Sequence, residues 1–318
     1  MNDSGAFRYR VRTEEAGRRL DVVLAARLDG PSRSAVAGAI REGTVTVDGR
    51  VRKPGHTVRA GEIIRGTLPR PARPDAIAEP IELSILFEDD HLLVVDKPAG
   101  MVVHPSAGHF SGTLVNALLH HYPEIEVRRD GEILRPGIVH RLDKDTSGCL
   151  VIAKDSRTQQ LLQEQFRARR IDKIYLALVV GRVAADAGRI DRPVGRHPRD
   201  RKKMSVFSHR GRPALTLWRV RRRFSRATLL ELKLKTGRTH QIRVHLASLG
   251  HPVAGDPVYG GTRRLAGTPL ESARRQMLHA WRLAFTHPME GRPVSVTAPL
   301  PPDMRQLLRA LAEDAKSP

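Results

Sequence analysis

Apolar positions along this chain change period several times, and each change predicts an element. Near the N-terminus Leu20, Val23, Leu24 and Leu28 recur at helical spacing. Ser34 is placed to cap a second helix, with Val36, Ala37 and Ile40 on one face and Gly43 ending it. Thr44-Val45-Thr46-Val47 then alternates with period two, and Asp48-Gly49 is the pair favoured in tight hairpin turns. Leu68-Pro69-Arg70-Pro71-Ala72-Arg73-Pro74 continues neither a helix nor a central strand and reads as a linker. Beyond it, Leu83 to Phe87 and Leu92 to Val95 form a strand pair turned at Asp89-Asp90. Asp96 to Gly100 breaks the second strand, and Met101-Val102-Val103 is expected to resume it. Further strands are predicted at 150–153, 174–180, 228–235 and 294–298. Helices are predicted at 156–169, with Leu161, Leu162 and Phe166 on the apolar side, and from Thr239 to Leu249. After a proline-rich stretch, a short helical tail runs from Asp303 to Ala315. Strands outnumber helices and arrive in hairpin-like pairs, which predicts an α+β fold on a mixed, largely antiparallel sheet.

Composition narrows the partner. A chain of 318 residues exceeds one ordinary domain, and 40% apolar content supports a core. Aromatics are only 4%, too few for a binding mode built on many stacked bases. The formal net charge of +21 repels itself in a compact fold, and nucleic acid would relieve that while releasing counterions. Between Arg196 and Arg223 stand eleven Lys or Arg and one acid, Asp200, a run expected to form a protruding, phosphate-gripping hairpin that includes Lys202 and Lys203. The single cysteine, Cys149, lies in an apolar run and reads as a small core residue. No apolar run reaches membrane-span length and no signal-peptide core is present, so a cytoplasmic protein is expected. The histidines form no metal set: His240 and His245 are five apart, off the four-residue spacing of a helix-face pair. No metal is expected.

The densest polar chemistry lies in Gly137-Ile138-Val139-His140-Arg141-Leu142-Asp143-Lys144-Asp145-Thr146-Ser147-Gly148. An apolar strand leads in and another leads out, so a rigid frame holds a polar loop, where catalytic groups tend to sit. A structural knot of ion pairs has the same composition. The six letters from His140 to Asp145 superficially resemble the catalytic loop of protein kinases. That reading fails, because the chain has no Gly-rich phosphate loop, no strand lysine of the kinase type and no Asp-Phe-Gly segment.

The same segment resembles the signature of RluA-type pseudouridine synthases. So do Val95 to Pro105 before it and Lys173-Ile174-Tyr175, Thr236 to His245 and Gly255 to Gly260 after it, in order. At the N-terminus, Arg19-Leu20-Asp21, Ser32-Arg33-Ser34, Glu42 to Gly49 and Ala60-Gly61-Glu62 resemble the alpha-L RNA-binding domain, known also from the small-subunit ribosomal protein S-four. The resemblance implies an alpha-L domain over 1–70, a linker over 71–80 and a catalytic domain over 81–318. In the first domain Arg33, Arg41, Arg50, Arg52 and Lys53 match positions that face RNA. In the second, Asp143 matches the catalytic carboxylate, Arg243 the arginine paired with it, and Tyr175 the tyrosine that stacks on the target base. Arg141 matches the side chain that fills the gap left by a flipped base, and Arg238 is grouped with the RNA contacts. Three first steps stay open for Asp143: attack at C1′, removal of the C2′ proton, or addition at the uracil C6. The implied activity is isomerisation of uridine in large-subunit ribosomal RNA, without cofactor, by a monomer. A sibling specificity for other ribosomal or transfer RNA uridines shares these motifs, and a non-catalytic RNA-binding or ribosome-assembly factor is the contrasting reading.

Overall fold

A computed structural model describes residues 6–28, 33–68, 77–105, 110–123, 125, 137–200, 203–260 and 267–314. Within them the chain forms two compact units, one on residues 6–68 and one on residues 77–314. Of the linker expected over 71–80, residues 71–76 lie outside the described residues.

The first unit is β1 (Ala6–Arg10), α1 (Leu20–Arg27), α2 (Arg33–Arg41), β2 (Val45–Val47), β3 (Arg50–Val51) and β4 (Ile63–Thr67). Its antiparallel sheet has the order β1-β4-β2-β3. Leu20, Val23 and Leu24 of α1 pack on Val36 and Ile40 of α2 and on Val45, Val47 and Ile64 of the sheet. α2 begins at Arg33, so Ser34 lies inside the first turn rather than capping it. The hairpin forms as its sequence predicts: Asp48 (φ 48°) and Gly49 (φ 76°) both take the left-handed region that a two-residue turn requires.

The second unit contains β5 (Ile85–Glu88), β6 (Leu92–Lys97), α3 (Leu114–His121), β7 (Ser147–Ala153), α4 (Ser156–Arg167), β8 (Asp172–Val180) and β9 (Ala187–Asp191). It continues with β10 (Gly195–Arg196), β11 (Met204–Ser205), β12 (Leu215–Arg223), β13 (Ala227–Leu234), α5 (Gln241–Ser248), β14 (Leu278–Thr286), β15 (Pro293–Thr297) and α6 (Pro302–Asp314). One nine-stranded sheet runs β5-β6-β7-β14-β8-β13-β12-β9, with β15 also on β14. Within this sheet only the β7–β14 pairing is parallel among the described residues, so the mixed, largely antiparallel α+β expectation holds.

Helices cover both faces of this sheet. Leu93 and Val95 of β6 join Leu114 and Leu118 of α3 and Ile242 and Leu246 of α5. The alternate residues Leu92 and Val94 join Leu162 of α4 on the opposite side, as the two-residue period of a strand dictates. Leu176 and Leu178 of β8 pack on Met304, Leu307 and Leu311 of α6. All seven residues of β7 are buried, which is why its sequence is apolar without alternation. Cys149 is among them, and burial pushes its thiol up to about 12, far from a nucleophile. At Gly148 (φ 111°) a Cβ would lie 2.2 Å from the Ala280 carbonyl oxygen, so the close β7–β14 approach requires glycine there.

Two expectations are corrected. Met101 to Val103 does not resume a strand; Val102 and Val103 instead give their carbonyls to the N–H groups of Leu114 and Val115 at the start of α3. The basic run does not form one protruding hairpin either. Its first part makes the short β10–β11 pair, but Arg219, Arg221, Arg222 and Arg223 lie on β12 inside the large sheet. Arg219 and Arg221 both reach Glu231 on β13, at 2.7 and 3.3 Å, and Arg223 pairs with Asp186. Acids distant in sequence neutralise that end of the run.

Candidate active site

The loop between residue 142 and β7 is held residue by residue. Thr146 N–H bonds the Asp143 carbonyl at 3.0 Å, closing a turn. The Lys144 carbonyl accepts from Gly100 N–H and from the ammonium of Lys97. Lys97 is fully buried and also donates to the carbonyls of Pro98 (2.6 Å) and Met101 (2.9 Å). Burial lowers its pKa to about 8, while Asp145 opposes that shift. The Asp145 carbonyl accepts from Arg275, which is itself forked onto Asp303. His140, at the loop's entry, turns Nε2 to accept from Val151 N–H and stacks on Phe166 at 4.7 Å. Burial pushes it down to about 3, so it stays neutral and contributes no cation to the loop.

The cation comes instead from α5, a hundred residues on. Arg243 Nη1 donates to Asp143 Oδ2 at 3.0 Å, and its Nε and Nη2 fork onto Asp256 at 2.7 and 3.0 Å. Arg243 is 4% exposed and Asp256 is 0% exposed. Burial works against the guanidinium charge, but the bonds to Asp256 and then Asp143 outweigh it and raise its pKa. Asp256 also accepts from Val258 N–H and Tyr259 N–H, so its carboxylate is fully engaged. The Tyr259 ring lies under the guanidinium at 5.2 Å.

Tyr175 on β8 lines the same cleft as Asp143 and Arg243, with Arg141, Arg238 and His240 at its edges. Its phenol is raised, first by burial and then by the charge of Asp143, so the ring is neutral throughout the physiological range. His240 takes a left-handed backbone (φ 54°) at the start of α5, a conformation costly for a residue with a Cβ. That geometry sets Nδ1 2.9 Å from the Tyr259 hydroxyl and Nε2 3.9 Å from Asp143 Oδ2. The Tyr259 oxygen accepts from Met204 N–H at 2.9 Å, and when its O–H donates to Nδ1, the Nε2–H is turned toward Asp143. Gln241 anchors the segment, accepting from Thr236 Oγ1 and Arg238 N–H and donating to Thr216 Oγ1.

Comparison with known proteins decides the family. Residues 91–248 match the family model described as RNA pseudouridylate synthase, and residues 18–64 match the S4 domain. The ribosomal large subunit pseudouridine synthase D of Xanthomonas campestris pv. campestris is 45% identical, covering 98% of this chain and 95% of that protein. The chain belongs to the RNA pseudouridylate synthase family. A ribosomal large subunit pseudouridine synthase D of Nitrosomonas europaea is 48% identical over 93% of this chain and 85% of that protein. A solved structure of human RNA pseudouridylate synthase domain containing 1 is 28% identical with a TM-score of 0.55, covering 76% of this chain and 98% of that one.

In this pseudouridine synthase the three residues singled out for chemistry, Asp143, Tyr175 and Arg243, meet in one cleft, and Arg141 and Arg238 join them. Lys203 stands apart at the β10–β11 turn, 3.8 Å from Asp200, and Lys202 lies outside the described residues. In the S4 unit, Arg41, Arg52 and Lys53 line a shallow hollow with Arg19 and His56. Arg50 is exposed on β3, and Arg33 is drawn onto the buried Asp21 at 3.0 Å. Asp256, Tyr259 and His240 acquire roles that their sequence positions did not suggest. The Gly255 to Gly260 motif was the available signal, since a glycine-bounded turn offers its backbone N–H groups to an acid within it. Asp89, His287 and Glu290 cluster closely enough to suggest a metal site. However, His287 donates from Nε2 to Asp89 and accepts at Nδ1 from Glu290 N–H, both at 3.0 Å, leaving no lone pair for an ion. No helix of the described residues is long and apolar enough to cross a membrane.

Proposed function

We propose that this enzyme isomerises uridine to pseudouridine in large-subunit ribosomal RNA, with Asp143 as its catalytic carboxylate. The observation that carries this is the 3.0 Å bond from the buried Arg243 to Asp143 Oδ2. Oδ1 takes no hydrogen bond from the described residues and is the oxygen available to react. The relatives, ribosomal large subunit pseudouridine synthases, support the substrate class.

The reaction breaks the N1–C1′ bond, turns the uracil, forms C5–C1′ and moves the C5 proton to N1. It is atom-neutral and redox-neutral, so it needs no cofactor. The target must first leave its stack. Tyr175 then supplies a flat, neutral face for the uracil, and Arg141, exposed at the cleft mouth, replaces the base in the helix. Arg243 holds the carboxylate in place by a charge-assisted bond through whichever first step it takes: C1′ attack, C2′ deprotonation or C6 addition. The S4 unit (1–70) binds RNA through Arg33, Arg41, Arg50 and Lys53, followed by the linker over 71–80 and the catalytic domain over 81–318. Lys202, Lys203 and Arg238 add phosphate contacts. The enzyme works in the cytoplasm as a monomer that meets its partner on RNA.

The test is Asp143→Asn. Isomerisation should vanish while the dissociation constant for RNA stays within a few-fold. Normal turnover by the variant would remove Asp143 from the chemistry, whereas RNA binding without isomerisation by the wild-type protein would favour a binding factor. Carbodiimide mapping of total RNA, with and without the gene, identifies the uridine; a missing signal in transfer RNA rather than large-subunit RNA would replace the proposed substrate.

A further inference from the structure

Beside the catalytic cleft, and sharing Arg141, Tyr175, Leu234, Gly237 and Arg238 with it, runs a second groove between the end of α4 and the β8–β13 pair. Its lining includes six cations, Arg141, Arg167, Arg169, Lys173, Lys235 and Arg238, and no carboxylate. This contrasts with β12, where arginines are matched by Glu231 and Asp186. Among the described residues, none of the six forms an ion pair with an acid; Arg238 reaches only the Pro213 carbonyl, at 3.3 Å. The cations press on one another. Burial and then Arg169 lower Lys173, while burial, Arg212 and Arg169 lower Arg238. The floor is aromatic: His140 stacks on Phe166, and the Lys173 ammonium sits 5.5 Å from the Phe166 ring centre.

A second observation is independent of the charge. Helix α4 ends in a Schellman motif: Arg169 N–H bonds the Phe166 carbonyl and Arg170 N–H the Gln165 carbonyl. The residue at its left-handed position is ordinarily glycine, yet here it is Arg169 at φ 58°, exposed and lining the groove. An arginine held in a strained backbone where glycine fits better favours a role for its side chain.

We propose that this groove seats the phosphodiester backbone of the RNA strand that leads away from the flipped uridine. The partner is single-stranded RNA contiguous with the substrate. Phosphates pair with Arg169, Lys173 and Lys235, while Arg141 and Arg238 mark the passage into the cleft. This rests on the RNA-isomerisation reading above.

The experiment uses the full chain and a short fluorescein-labelled single-stranded RNA with a central uridine, titrated at several salt concentrations. The variants are Arg169→Gly, Arg169→Asn and the pair Arg169→Gly with Lys235→Gln; Arg50→Gln with Lys53→Gln is the comparison in the S4 unit. For single strands each phosphate contact contributes about 0.7 to the salt slope, so the groove pair should flatten it by about 1.4. At near-physiological salt the same loss weakens binding roughly tenfold. Arg169→Gly should also raise Tm, by about 2–4 °C, because it relieves the left-handed backbone. Weaker binding with a higher Tm separates a lost contact from a misfolded variant. A wild-type salt slope in the groove pair, or an equal loss of affinity with no change in slope, overturns the proposal. If the wild-type enzyme makes no pseudouridine yet the slope still depends on the groove, the isomerisation reading falls and the groove stands. If pseudouridine forms and the slope ignores these residues, the groove alone falls.

Discussion

Replacing Asp256 by Asn separates holding the carboxylate proposed to be catalytic, that of Asp143, from being it. Asp256 is wholly buried, and its two oxygens accept four hydrogen bonds: two from Arg243, one from Val258 N–H and one from Tyr259 N–H. An Asn amide presents an NH2 to donors whichever way it is turned, so at least one N–H faces another N–H. The substitution also removes the charge opposite a guanidinium that is 4% exposed. Breaking a buried ion pair costs about 3–5 kcal/mol. Asp143 still offers Arg243 one carboxylate oxygen, so the low end applies, about 3 kcal/mol. For a unit of this size that is a fall in Tm of about 6–12 °C. Asp143→Asn should behave oppositely. Its side chain is 19% exposed and gives Arg243 a single bond, and Asp256 keeps Arg243 paired, so Tm should move by less than about 3 °C while isomerisation is lost. Differential scanning fluorimetry and a single-turnover tritium-release assay measure the two effects. Single-turnover rates for Asp256→Asn should fall on the order of 100-fold, because a guanidinium freed on one side no longer fixes the carboxylate. If Asp256→Asn melts within 2 °C of wild type, the buried pair does not hold the site and the reasoning fails.

Two further outcomes follow from the same geometry. His279 is fully buried, accepts at Nδ1 from Ser147 Oγ–H and faces the Ala298 carbonyl with Nε2; burial pushes its pKa down to about 4 against the bond to the Ala298 carbonyl, with Arg275 lowering and Asp303 raising it. Its stabilising contribution is complete above the unfolded value near 6.5 and is lost as pH falls from there toward about 4, because only the unfolded chain takes up the proton. Going from pH 7 to pH 5 should therefore cost about 2 kcal/mol in urea unfolding, and His279→Gln should flatten that part of the profile; an unchanged slope would exclude His279 as its source. Tyr175→Phe keeps the flat ring and should hold RNA affinity within a few-fold, whereas Tyr175→Ala removes stacking worth about 1–3 kcal/mol per base, measured by filter binding on the Asp143→Asn protein. Equal affinities for the two variants would mean that the uracil does not lie on Tyr175.

Much of the fold is legible because local pattern and final burial agree. Leu92 to Val95 reads as a strand, and its alternate residues do pack on opposite faces; Asp48-Gly49 reads as a hairpin turn and adopts one. The misreadings have definite causes. β12 looks like a solvated arm because four of its nine residues are arginine, and only the fold supplies Glu231 and Asp186. α3 was not anticipated because its start is marked by Thr113 and Asn116, a capping box without the usual Glu or Gln. At the site, Asp143, Tyr175 and Arg243 were named only through whole-chain resemblance. Spacing could not pair them, since the loop's own cations, Arg141 and Lys144, are closer in sequence and neither provides the partner. Asp256 was quoted within a motif but given no role, because its function lies in a contact with Arg243 rather than in its own segment.

The contacts around Asp143 place the rigidity of the site in its backbone. The carbonyls of residues 143, 144 and 145 are taken by Thr146, by Lys97 with Gly100, and by Arg275, so three separate parts of the chain fix three consecutive peptide groups. The side chain is fixed at one oxygen by Arg243, whose other two nitrogens are tied to Asp256. A carboxylate held at one oxygen on an immobile loop loses little freedom when RNA arrives, so less binding free energy goes into ordering it. In the proposed reaction what has to move is the RNA: the uridine must unstack, and the groove cations and Arg141 are the groups proposed to stabilise the strand while it does. On the proposed reading, catalysis depends on deforming the substrate around a preorganised carboxylate, so contacts that hold the strand open should act through RNA affinity while those that hold the carboxylate act on the rate itself.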